Sequence, residues 1–452
     1  MKSGIIKLEH IQEAQRLSPK YHLSEGEVYL RKIASHQHET LDFLTESISN
    51  IGVNKRIFVL KKDFGIPFIS NTTIGNINPL ESIKYLSKKY HGNSQRLVED
   101  GMILMAGIGS TSVGDVNYAN SLIQGSLTPI GNVIRIKTNK KILSGYLYAF
   151  LKSKIGYSII RRLVSGSGQT YLDPTTVSKI IIPLLHEDIY EQAHHLIVEV
   201  ARLRVKAVNL LSEAVANFEK FNIDYSYGDH LIKNISLNDI KNKNFRFDAL
   251  HGIVNEKIEN SIFNSNAEFK TIKSQSVKIF IGPRTKRNYL DKGVPFLSTT
   301  AMQKANPTNV EKHISKKIAS DFQVKKGYIL TTRSGTLGDT IIALPSIDNY
   351  AVSEDAIRIL LKQDAEISSE YLFAFLKSDI GKNSLLSGAY GSVIQHINEE
   401  YVGEIKVPIL PSETYNKIVT NIKAHIQLLD KAINLENEAI NLIETEIDSW
   451  QN

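Results

Sequence analysis

Residues 186–221 read HEDIYEQAHHLIVEVARLRVKAVNLLSEAVANFEKF, and the organisation predicted for the whole chain follows from them. Their apolar side chains recur at alternating steps of four and three residues, which keeps them on one side of a helix. The seam formed in this way consists of Leu196, Val200, Leu203, Ala207, Leu210 and Ala214. Such a seam is typical of a coiled coil, so the stretch predicts a long helix that packs against a second helix.

The C-terminal stretch repeats this pattern and predicts the partner helix. It begins after Pro411 at Ser412, whose side chain is suited to cap a first helical turn. Glu446 interrupts the pattern near the end, where the apolar positions move to Ile443 and Ile447. We expect the two seams to pack against each other. The second seam runs through His425, Leu428, Ala432, Leu435, Ala439 and Leu442.

Length and composition indicate a globular protein with more than one domain. A chain of 452 residues exceeds the size of one ordinary core, and 42% hydrophobic with 22% charged residues is typical of folded proteins. The chain has 54 Lys and Arg against 47 Asp and Glu, a formal net charge of +7. This modest excess of positive charge is compatible with a polyanionic partner.

Several classes of chemistry are excluded by residues that the chain lacks. It contains no cysteine, which excludes disulfides, thiolate nucleophiles and cysteine-based metal sites. Residues 1–15 have no apolar segment of signal-peptide length, and no run elsewhere is long enough to span a membrane. The sequence therefore predicts a cytoplasmic protein.

The two halves of the chain are copies of each other, displaced by about 225 residues. FGIPFIS at 64–70 aligns with KGVPFLS at 292–298, and YLYAFLKS at 146–153 aligns with YLFAFLKS at 371–378. A repeat of this length, with all motifs in the same order, indicates a duplicated domain. The shorter motifs in register are 101–104 with 327–330, 113–115 with 337–339, 165–166 with 387–388, and 180–183 with 405–408.

Each copy has a globular part of mixed secondary structure followed by its long helix. Short β-branched or alternating runs bounded by Gly, Pro, Asn and Ser predict strands, and one internal helix is predicted at 144–154 and again at 368–377. The predicted fold class is α+β, with two pseudo-symmetric domains and two helices packed as an antiparallel coiled coil. The predicted boundaries are 1–185 and 222–411 for the domains, and 186–221 and 412–452 for the helices.

The sequence contains no recognisable catalytic, cofactor or metal site. The glycine-rich run 107–114 does not have the spacing of a dinucleotide fingerprint, and no phosphate-binding loop occurs. The Asp/Asn-Pro-Pro-Tyr signature expected of an amino-methyltransferase is missing, since Asp173-Pro174 continues into Thr175. Residues 404–406 have the Glu-x-Lys form of many nucleases, but the aligned residues 179–181 lack both the acid and the base. No cofactor is expected on this chain.

Two basic loops lie at equivalent places in the repeat and differ in sequence. A common scaffold that carries unlike polar loops is what two readers of different base sequences need. For any single residue, an ordinary solvated loop is an equally good interpretation, since exposed Lys and Arg are common. The candidates for DNA binding are Lys55, Arg56, Lys61 and Lys62 in the first copy, and Arg284, Lys286 and Arg287 in the second.

Two further pairs of polar loops are candidates for reading bases. An arginine can bind guanine through two hydrogen bonds, which makes Arg333 of interest, and its counterpart near Ile108 is uncharged. Short loops that carry amides are suited to adenine edges. The first pair places Ser110 and Thr111 opposite Arg333, Ser334 and Thr336, and the second places Gln169 and Thr170 opposite Gln395 and His396.

The ordered motifs, present twice, resemble those of the specificity subunit of type I restriction-modification enzymes. They are Gly-x-Pro-Phe, Gly-x-Ile-Leu followed by a turn and Gly-Asp, Tyr-Leu-x-x-Phe-Leu-x-Ser, and Ile-x-Ile/Val-Pro before a long helix. The resemblance covers essentially the whole chain. The second copy matches better, because Leu410-Pro411 precedes its helix where the first copy has 184–186 without a proline.

This resemblance implies a non-catalytic subunit with two target-recognition domains. Each domain is expected to read one part of a split site in double-stranded DNA, with the two helices as a spacer. Modification (methyltransferase) subunits and restriction (motor-nuclease) subunits are the expected partners, and they would carry S-adenosylmethionine, ATP and Mg. Two alternatives stay open: a specificity subunit of another restriction or defence complex, and an enzyme with its own methyltransferase or nuclease site.

Overall fold

The computed structural model describes most of the chain and divides it into two units. Unit 1 comprises Met1–Val205 and Lys431–Asn452, and unit 2 comprises Lys206–Asp430. This division falls within both long helices, whereas the sequence predicts boundaries after residues 185, 221 and 411, and those boundaries remain predictions. The described residues are 6–14, 17–51, 55–81, 83–91, 97–109, 112–129, 131–166, 170–221, 256–258, 260–262, 267–284, 286–310, 312–391 and 394–450.

Unit 1 is built on a four-stranded antiparallel sheet. From edge to edge its strands are Thr45–Ser49, Val133–Thr138, Ile103–Ala106 and Val116–Tyr118. Every residue of Ile103–Ala106, an apolar strand inside the sheet, is buried. Two smaller sheets accompany it. One contains Phe58–Val59, Lys84–Ser87 and Gly65–Phe68 in that order, and the other pairs His38–Thr40 with Ile181–Pro183.

Unit 2 repeats the four-stranded sheet with the same strand order. Its strands are Ser276–Phe280, Ala356–Leu361, Ile329–Thr332 and Thr340–Ile342, and a two-stranded sheet again pairs Phe269–Thr271 with Lys406–Pro408. The three-stranded sheet differs, because Val294–Leu297 lies between His313–Ile314 and Ala351–Val352 and is parallel to the latter. The two units thus share the four-stranded and the two-stranded sheet and differ in the three-stranded one.

Some of the helices also recur between the units, and the structure confirms the predicted mixture of helix and strand. In unit 1 they are Leu8–Ala14, Pro19–His22, Glu25–Ala34, Lys88–His91, Ser144–Lys152, Lys154–Leu163 and Pro174–Val177, with a 3-10 turn at Lys62–Phe64. In unit 2 they are Ile272–Gln275, Lys316–Ala319, Ser369–Lys377, Asp379–Ser387 and Glu399–Glu404, with 3-10 turns at Glu219–Phe221, Ala301–Gln303 and Pro345–Ile347. The long helices are Glu187–Ala216 and Ser412–Ser449.

The conserved order of motifs within the chain has a packing explanation. Tyr146 is fully buried, and its hydroxyl donates a 2.6 Å hydrogen bond to the carbonyl of Pro183. In unit 2, Tyr371 donates in the same way to Pro408, at 2.7 Å. Each tyrosine therefore ties the internal helix to the strand that precedes the long helix. Burying a tyrosine hydroxyl without a hydrogen-bond partner would cost free energy. The need for this bond accounts for the presence of both motifs in each copy.

The internal helix of each unit continues into a second helix after a single serine. The Ser153 side chain caps the new helix by accepting a hydrogen bond from the backbone N–H of Gly156 at 3.1 Å. A Cβ on Gly156 would lie 2.1 Å from the carbonyl oxygen of Phe150, so only glycine fits this close turn. Ser378 and Gly381 make the same turn in unit 2. The sequence predicted only the first helix of this pair.

The buried seams of the long helices run beside the predicted ones. Leu196, Leu210, Leu428, Leu435 and Leu442 are only half-buried, whereas Val200, Leu203 and Ile443 are buried as predicted. The steps of four and three continue, but they pass through Ala193, Ile197, Val200, Arg204, Ala207, Leu211 and Ala214, and through Ile418, Ile422, His425, Leu429, Ala432, Glu436, Ala439, Ile443 and Ile447. A seam that contains Arg204 and Glu436 is missed by counting apolar residues alone.

None of the helices in the described parts of the chain combines the length and the apolar character that a membrane span requires.

Candidate nucleic-acid interface

In unit 2, two polar loops that the sequence suggested separately lie side by side. The first follows strand Ile329–Thr332, and its Ser334 forms an antiparallel bridge with His396 of the second loop. The backbone N–H of Ile397 donates to the carbonyl of Arg333 at 3.1 Å. The structure therefore brings together Arg333, Ser334, Gln395 and His396, with Thr336 in the adjoining turn.

The first of these loops is held in a defined conformation. Gly335 and Gly338 have φ angles of 77° and 80°, which favour glycine. Thr332 closes the turn, because its carbonyl accepts from the backbone N–H of Gly338 at 3.0 Å and its hydroxyl donates to the carbonyl of Thr336. Ser334 donates to the Asp355 carboxylate at 3.1 Å. Thr336 is exposed at the tip of the turn.

The equivalent loops of unit 1 meet in the same way. Ile108 forms an antiparallel bridge with Tyr171. Gly109 and Thr170 exchange hydrogen bonds, since the hydroxyl of Thr170 donates to the carbonyl of Gly109 at 2.9 Å and the N–H of Gly109 donates back to the Thr170 carbonyl at 3.1 Å. The predicted contacts Ser110, Thr111 and Gln169 lie outside the described residues, so they remain predictions.

A fully buried arginine stabilises the segment next to the loop pair of unit 2. Arg358 lies on the strand next to Ile329–Thr332, and burial lowers its pKa to about 10. Its guanidinium donates to the backbone carbonyls of Phe322, Val352, Ser353 and Ala356. These bonds hold the segment that leads to Asp355. Arg135 occupies the same strand position in unit 1, where it pairs opposite Leu104.

Sequence reasoning missed this pair of arginines, although a signal was present. Ile-Arg-Ile occurs at 134–136 and again at 357–359, in register with the repeat. A charged residue inside an apolar strand in both copies indicates a buried group that needs partners.

The basic loop of unit 1 is part of a larger surface than the sequence suggested. All four predicted residues, Lys55, Arg56, Lys61 and Lys62, are exposed. The neighbouring strand and helix add Lys84, Lys88, Lys89 and the exposed Tyr90. We call these eight residues, with the exposed Phe58, Leu60 and Phe64, the basic aromatic surface.

Contacts within the basic aromatic surface hold its members together. The Lys84 ammonium lies 5.4 Å from the ring centre of Phe58, and Lys88 donates to the carbonyl of Asp63 at 2.9 Å. Cations interleaved with exposed aromatic rings are typical of surfaces that bind nucleic acids. The sequence signal was the run KYLSKKY at 84–90.

The basic loop of unit 2 contributes fewer free charges than the sequence suggested. Arg287 makes a two-pronged ion pair with Glu354, with nitrogen–oxygen distances of 3.0 and 3.2 Å, and its guanidinium lies 4.9 Å from the ring centre of Phe296. The charge of Arg287 is thus already neutralised within the fold. Arg284 and Lys286 are exposed and have no ion-pair partner among the described residues.

Within the described ranges, no three His, Asp or Glu side chains converge as a metal ion requires. The geometry is that of a binding surface made of polar loops, basic side chains and exposed aromatic rings.

Comparison with known proteins agrees with this description. Residues 280–445 match the model of the type I restriction modification DNA specificity domain. This match lies within the second copy of the repeat and agrees there with the resemblance that the repeated motifs indicate. No curated protein matches the chain significantly.

Similar solved structures include two S subunits. One is from the type I restriction-modification system of M. genitalium, with 14% identity, 91% of this chain and 94% of that chain covered, and a TM-score of 0.30. The other is the HsdS subunit from Thermoanaerobacter tengcongensis, with 13% identity, 91% and 96% covered, and a TM-score of 0.28. TM-scores this low support no argument from superposition.

Proposed function

We propose that this chain is the sequence-specific DNA-recognition subunit of a type I restriction-modification complex. The proposal starts from the match of residues 280–445 to the type I restriction modification DNA specificity domain. The chain reads a bipartite site in double-stranded DNA, with one part read by each unit. The observation that carries this proposal is the repeated loop pair. The Ser334–His396 bridge of unit 2 has its counterpart in the Ile108–Tyr171 bridge of unit 1, on the same four-stranded sheet.

The loops that differ between the units support two readers with different targets. The backbone bridges are equivalent, but the side chains are Ser and His in unit 2 and Ile and Tyr in unit 1. The basic aromatic surface belongs to unit 1, where the three-stranded sheet departs from that of unit 2. A shared scaffold positions the loops on DNA, while unlike side chains select bases.

The two long helices are proposed to form the antiparallel coiled coil that separates the readers. Arg204 and Glu436 pair within unit 1, and His425 bonds to the backbone of Ala207 within unit 2. Both contacts join the middle of the first helix to the middle of the second. The 30 residues of the first helix correspond to about 45 Å, or roughly 13 base pairs between half-site centres.

The catalytic work is proposed to belong to partner subunits. Modification subunits would bring S-adenosylmethionine and the adenine-methylating site, and motor-nuclease subunits would bring ATP hydrolysis, Mg and cutting. The complex would act on DNA in the cytoplasm. The basis is the specificity domain in 280–445 together with the missing methyltransferase and nuclease motifs.

Reconstitution tests this proposal. The chain is purified alone and together with a modification subunit of its own system, and adenine methylation of DNA is measured with labelled S-adenosylmethionine. We expect methylation only when both are present. Methylation by the chain alone, or methylation by the modification subunit that is unaffected by adding the chain, would contradict the proposed function.

A further inference from the structure

Arg333 is a buried arginine for which the described part of the chain offers no partner. Its backbone lies where the two polar loops of unit 2 are hydrogen-bonded to each other, and the residue is only 8% exposed. Its Nε is buried, and no described residue forms a hydrogen bond or an ion pair with its guanidinium. Burying a charged group is costly unless hydrogen bonds and opposite charges compensate for the lost water. The structure therefore leaves the binding capacity of this guanidinium unused.

The other buried arginines of the described residues do not share this feature. Each of the four binds a carboxylate or backbone carbonyls through at least one nitrogen. Arg162 binds Glu27 at 2.6 Å, Arg204 binds Glu436 at 3.0 Å, Arg135 donates to the carbonyl of Leu97 at 3.4 Å, and Arg358 donates to four carbonyls. This fold thus pairs its buried arginines as a rule, and Arg333 is the exception within the described ranges.

The carboxylates on the segment beside Arg333 are already engaged. Glu354 forms the two-pronged ion pair with Arg287. Asp355 accepts a hydrogen bond from the hydroxyl of Ser334 at 3.1 Å. Neither carboxylate neutralises Arg333, so its counter-charge is expected to come from a bound molecule.

The backbone around Arg333 is fixed on both sides. Its N–H donates to the carbonyl of Asp355 at 2.9 Å, and its own carbonyl accepts from the N–H of Ile397 at 3.1 Å. A second unused polar atom lies in the loop bridged to it, since Nδ1 of His396 is buried and has no hydrogen-bond partner among the described residues. A group held this way is positioned before its ligand arrives, which lowers the entropic cost of binding.

Unit 1 has the same backbone arrangement without the side chain. Gly107 is the repeat equivalent of Arg333. Its N–H donates to the carbonyl of Asn132 at 2.8 Å, and its carbonyl accepts from the N–H of Leu172 at 2.8 Å. The loop pair therefore forms without a guanidinium, so the arginine of unit 2 is not required for the fold of these loops.

We propose, as an extension of the proposed function on which it rests, that Arg333 is a DNA contact specific to unit 2. Its guanidinium binds a pair of acceptor atoms on the duplex. Two sources present such a pair: the O6 and N7 edge of a guanine in the major groove, and two oxygens of a backbone phosphate. The guanidinium fork matches both, and unit 1 has no equivalent contact because of Gly107.

The test compares Arg333→Met with wild type in the complete complex. Arg202→Met is the matched control, since it removes one arginine charge from an exposed site on the long helix, paired with Glu199. Binding is measured on the duplex that carries the site methylated in vivo and on a scrambled duplex. Duplexes with 7-deazaguanine at each guanine, or with a methylphosphonate at each phosphate, distinguish the two sources of acceptors.

For Arg333→Met we expect binding to the specific duplex to weaken by about fivefold to 150-fold, as for the loss of one two-pronged contact. The midpoint of thermal unfolding of the free chain should be unchanged or higher, because an unpaired buried charge is removed. Arg333→Lys should restore part of the affinity, and Arg202→Met should bind as wild type does. With wild-type protein, one 7-deazaguanine or one methylphosphonate should weaken binding, and that same substitution should have no effect on Arg333→Met.

Unchanged affinity in Arg333→Met would overturn the inference while leaving DNA recognition by the chain intact. A structural role would replace the inference if Arg333→Met had a lower unfolding midpoint and bound all duplexes more weakly, while neither DNA modification changed the binding of the wild-type protein. Failure of the wild-type complex to distinguish the specific from the scrambled duplex would instead overturn the proposed function, and the inference with it.

Discussion

Arg204 and Glu436 form a buried ion pair in unit 1, one residue on each long helix, with nitrogen–oxygen distances of 3.0 and 3.1 Å. The hydroxyl of Tyr148 donates to the same carboxylate at 2.6 Å. Burial disfavours the charged carboxylate, but the charge and hydrogen bonds of Arg204 outweigh this effect and lower the pKa of Glu436 to about 2. The pair occupies seam positions that are otherwise mainly apolar.

The repeat equivalents of this polar triad in unit 2 are apolar. At a displacement of 225 residues, Arg204 corresponds to Leu429, Tyr148 to Phe373, and Glu436 to Leu211, and all three equivalents are buried. Unit 2 therefore shows that apolar side chains can occupy the positions equivalent to the triad.

This comparison predicts the stability of two variants. Arg204→Leu alone leaves the Glu436 carboxylate buried without a counter-charge, and we expect the free energy of unfolding to fall by about 3–5 kcal/mol. The triple variant Arg204→Leu, Glu436→Leu and Tyr148→Phe should be as stable as wild type or more stable, since well-packed apolar residues often replace a buried pair without loss. Chemical denaturation measures both. A triple variant less stable than Arg204→Leu would contradict this explanation.

A pH dependence is predicted for His425. Burial lowers its pKa to about 4, and the charge of Lys377 acts in the same direction. Its Nδ1 lies 2.8 Å from the carbonyl of Ala207, to which the neutral ring donates. The ordinary pKa of 6.5 applies to the unfolded chain, so the unfolded state takes up the proton first. Stability is full above pH 6.5 and is lost as the pH falls toward 4, by an amount on the order of 3 kcal/mol.

His425→Gln is the control for this pH dependence, because glutamine keeps a donor for Ala207 and does not titrate. The free energy of unfolding is measured from pH 7 to pH 4 in both proteins. Their difference should shrink as the pH falls, since only wild type loses the contribution of a neutral buried imidazole. A constant difference across this range would disprove the assignment.

Salt dependence tests the exposed basic loop of unit 2. Changing Arg284 and Lys286 together to Ala should lower the slope of log affinity against log salt by about 2, as for two lost phosphate contacts. Arg287→Ala serves as a comparison, because its ion pair with Glu354 predicts a loss of stability instead. Binding titrations at several salt concentrations give the slope. An unchanged slope in the double variant would remove these two residues from the interface.

Helix length tests the proposed spacer. Inserting one heptad with the same seam pattern into each long helix adds about 10 Å and should lengthen the unread gap by about 3 base pairs. The half-sites themselves should stay the same, because no loop is altered. Methylation mapping of the lengthened variant reads the gap directly. A variant that still methylates at the original spacing would show that the helices do not set it.

The sequence predicted where helices and strands lie better than it predicted which side of the long helices is buried. The long helices, the strands and the internal helix follow from spacing and turn residues, which act locally. The seam was displaced by one residue at Leu428, Leu435 and Leu442, because Glu436 is buried only by virtue of Arg204, 232 positions away. A pairing over this separation is a property of the tertiary structure and leaves no trace in local periodicity.

The candidate site was predictable as a set of loops and not as an arrangement. Arg333 and His396 were suggested separately, and their proximity depends on a bridge between segments about sixty residues apart. Arg287 was counted with its exposed neighbours, although Glu354 neutralises it. In each case the sequence did not reveal which distant side chain lies next to the residue in the fold. Aligning the two copies of the repeat with each other does not supply this information.

The most direct test of two readers in one chain is single-molecule mapping of methylated adenine in a host that carries the complete system. We expect two short half-sites separated by an unread gap of constant length, and loss of this methylation when the gene for this chain is deleted. A single uninterrupted target sequence, or methylation that persists without the chain, would contradict the account.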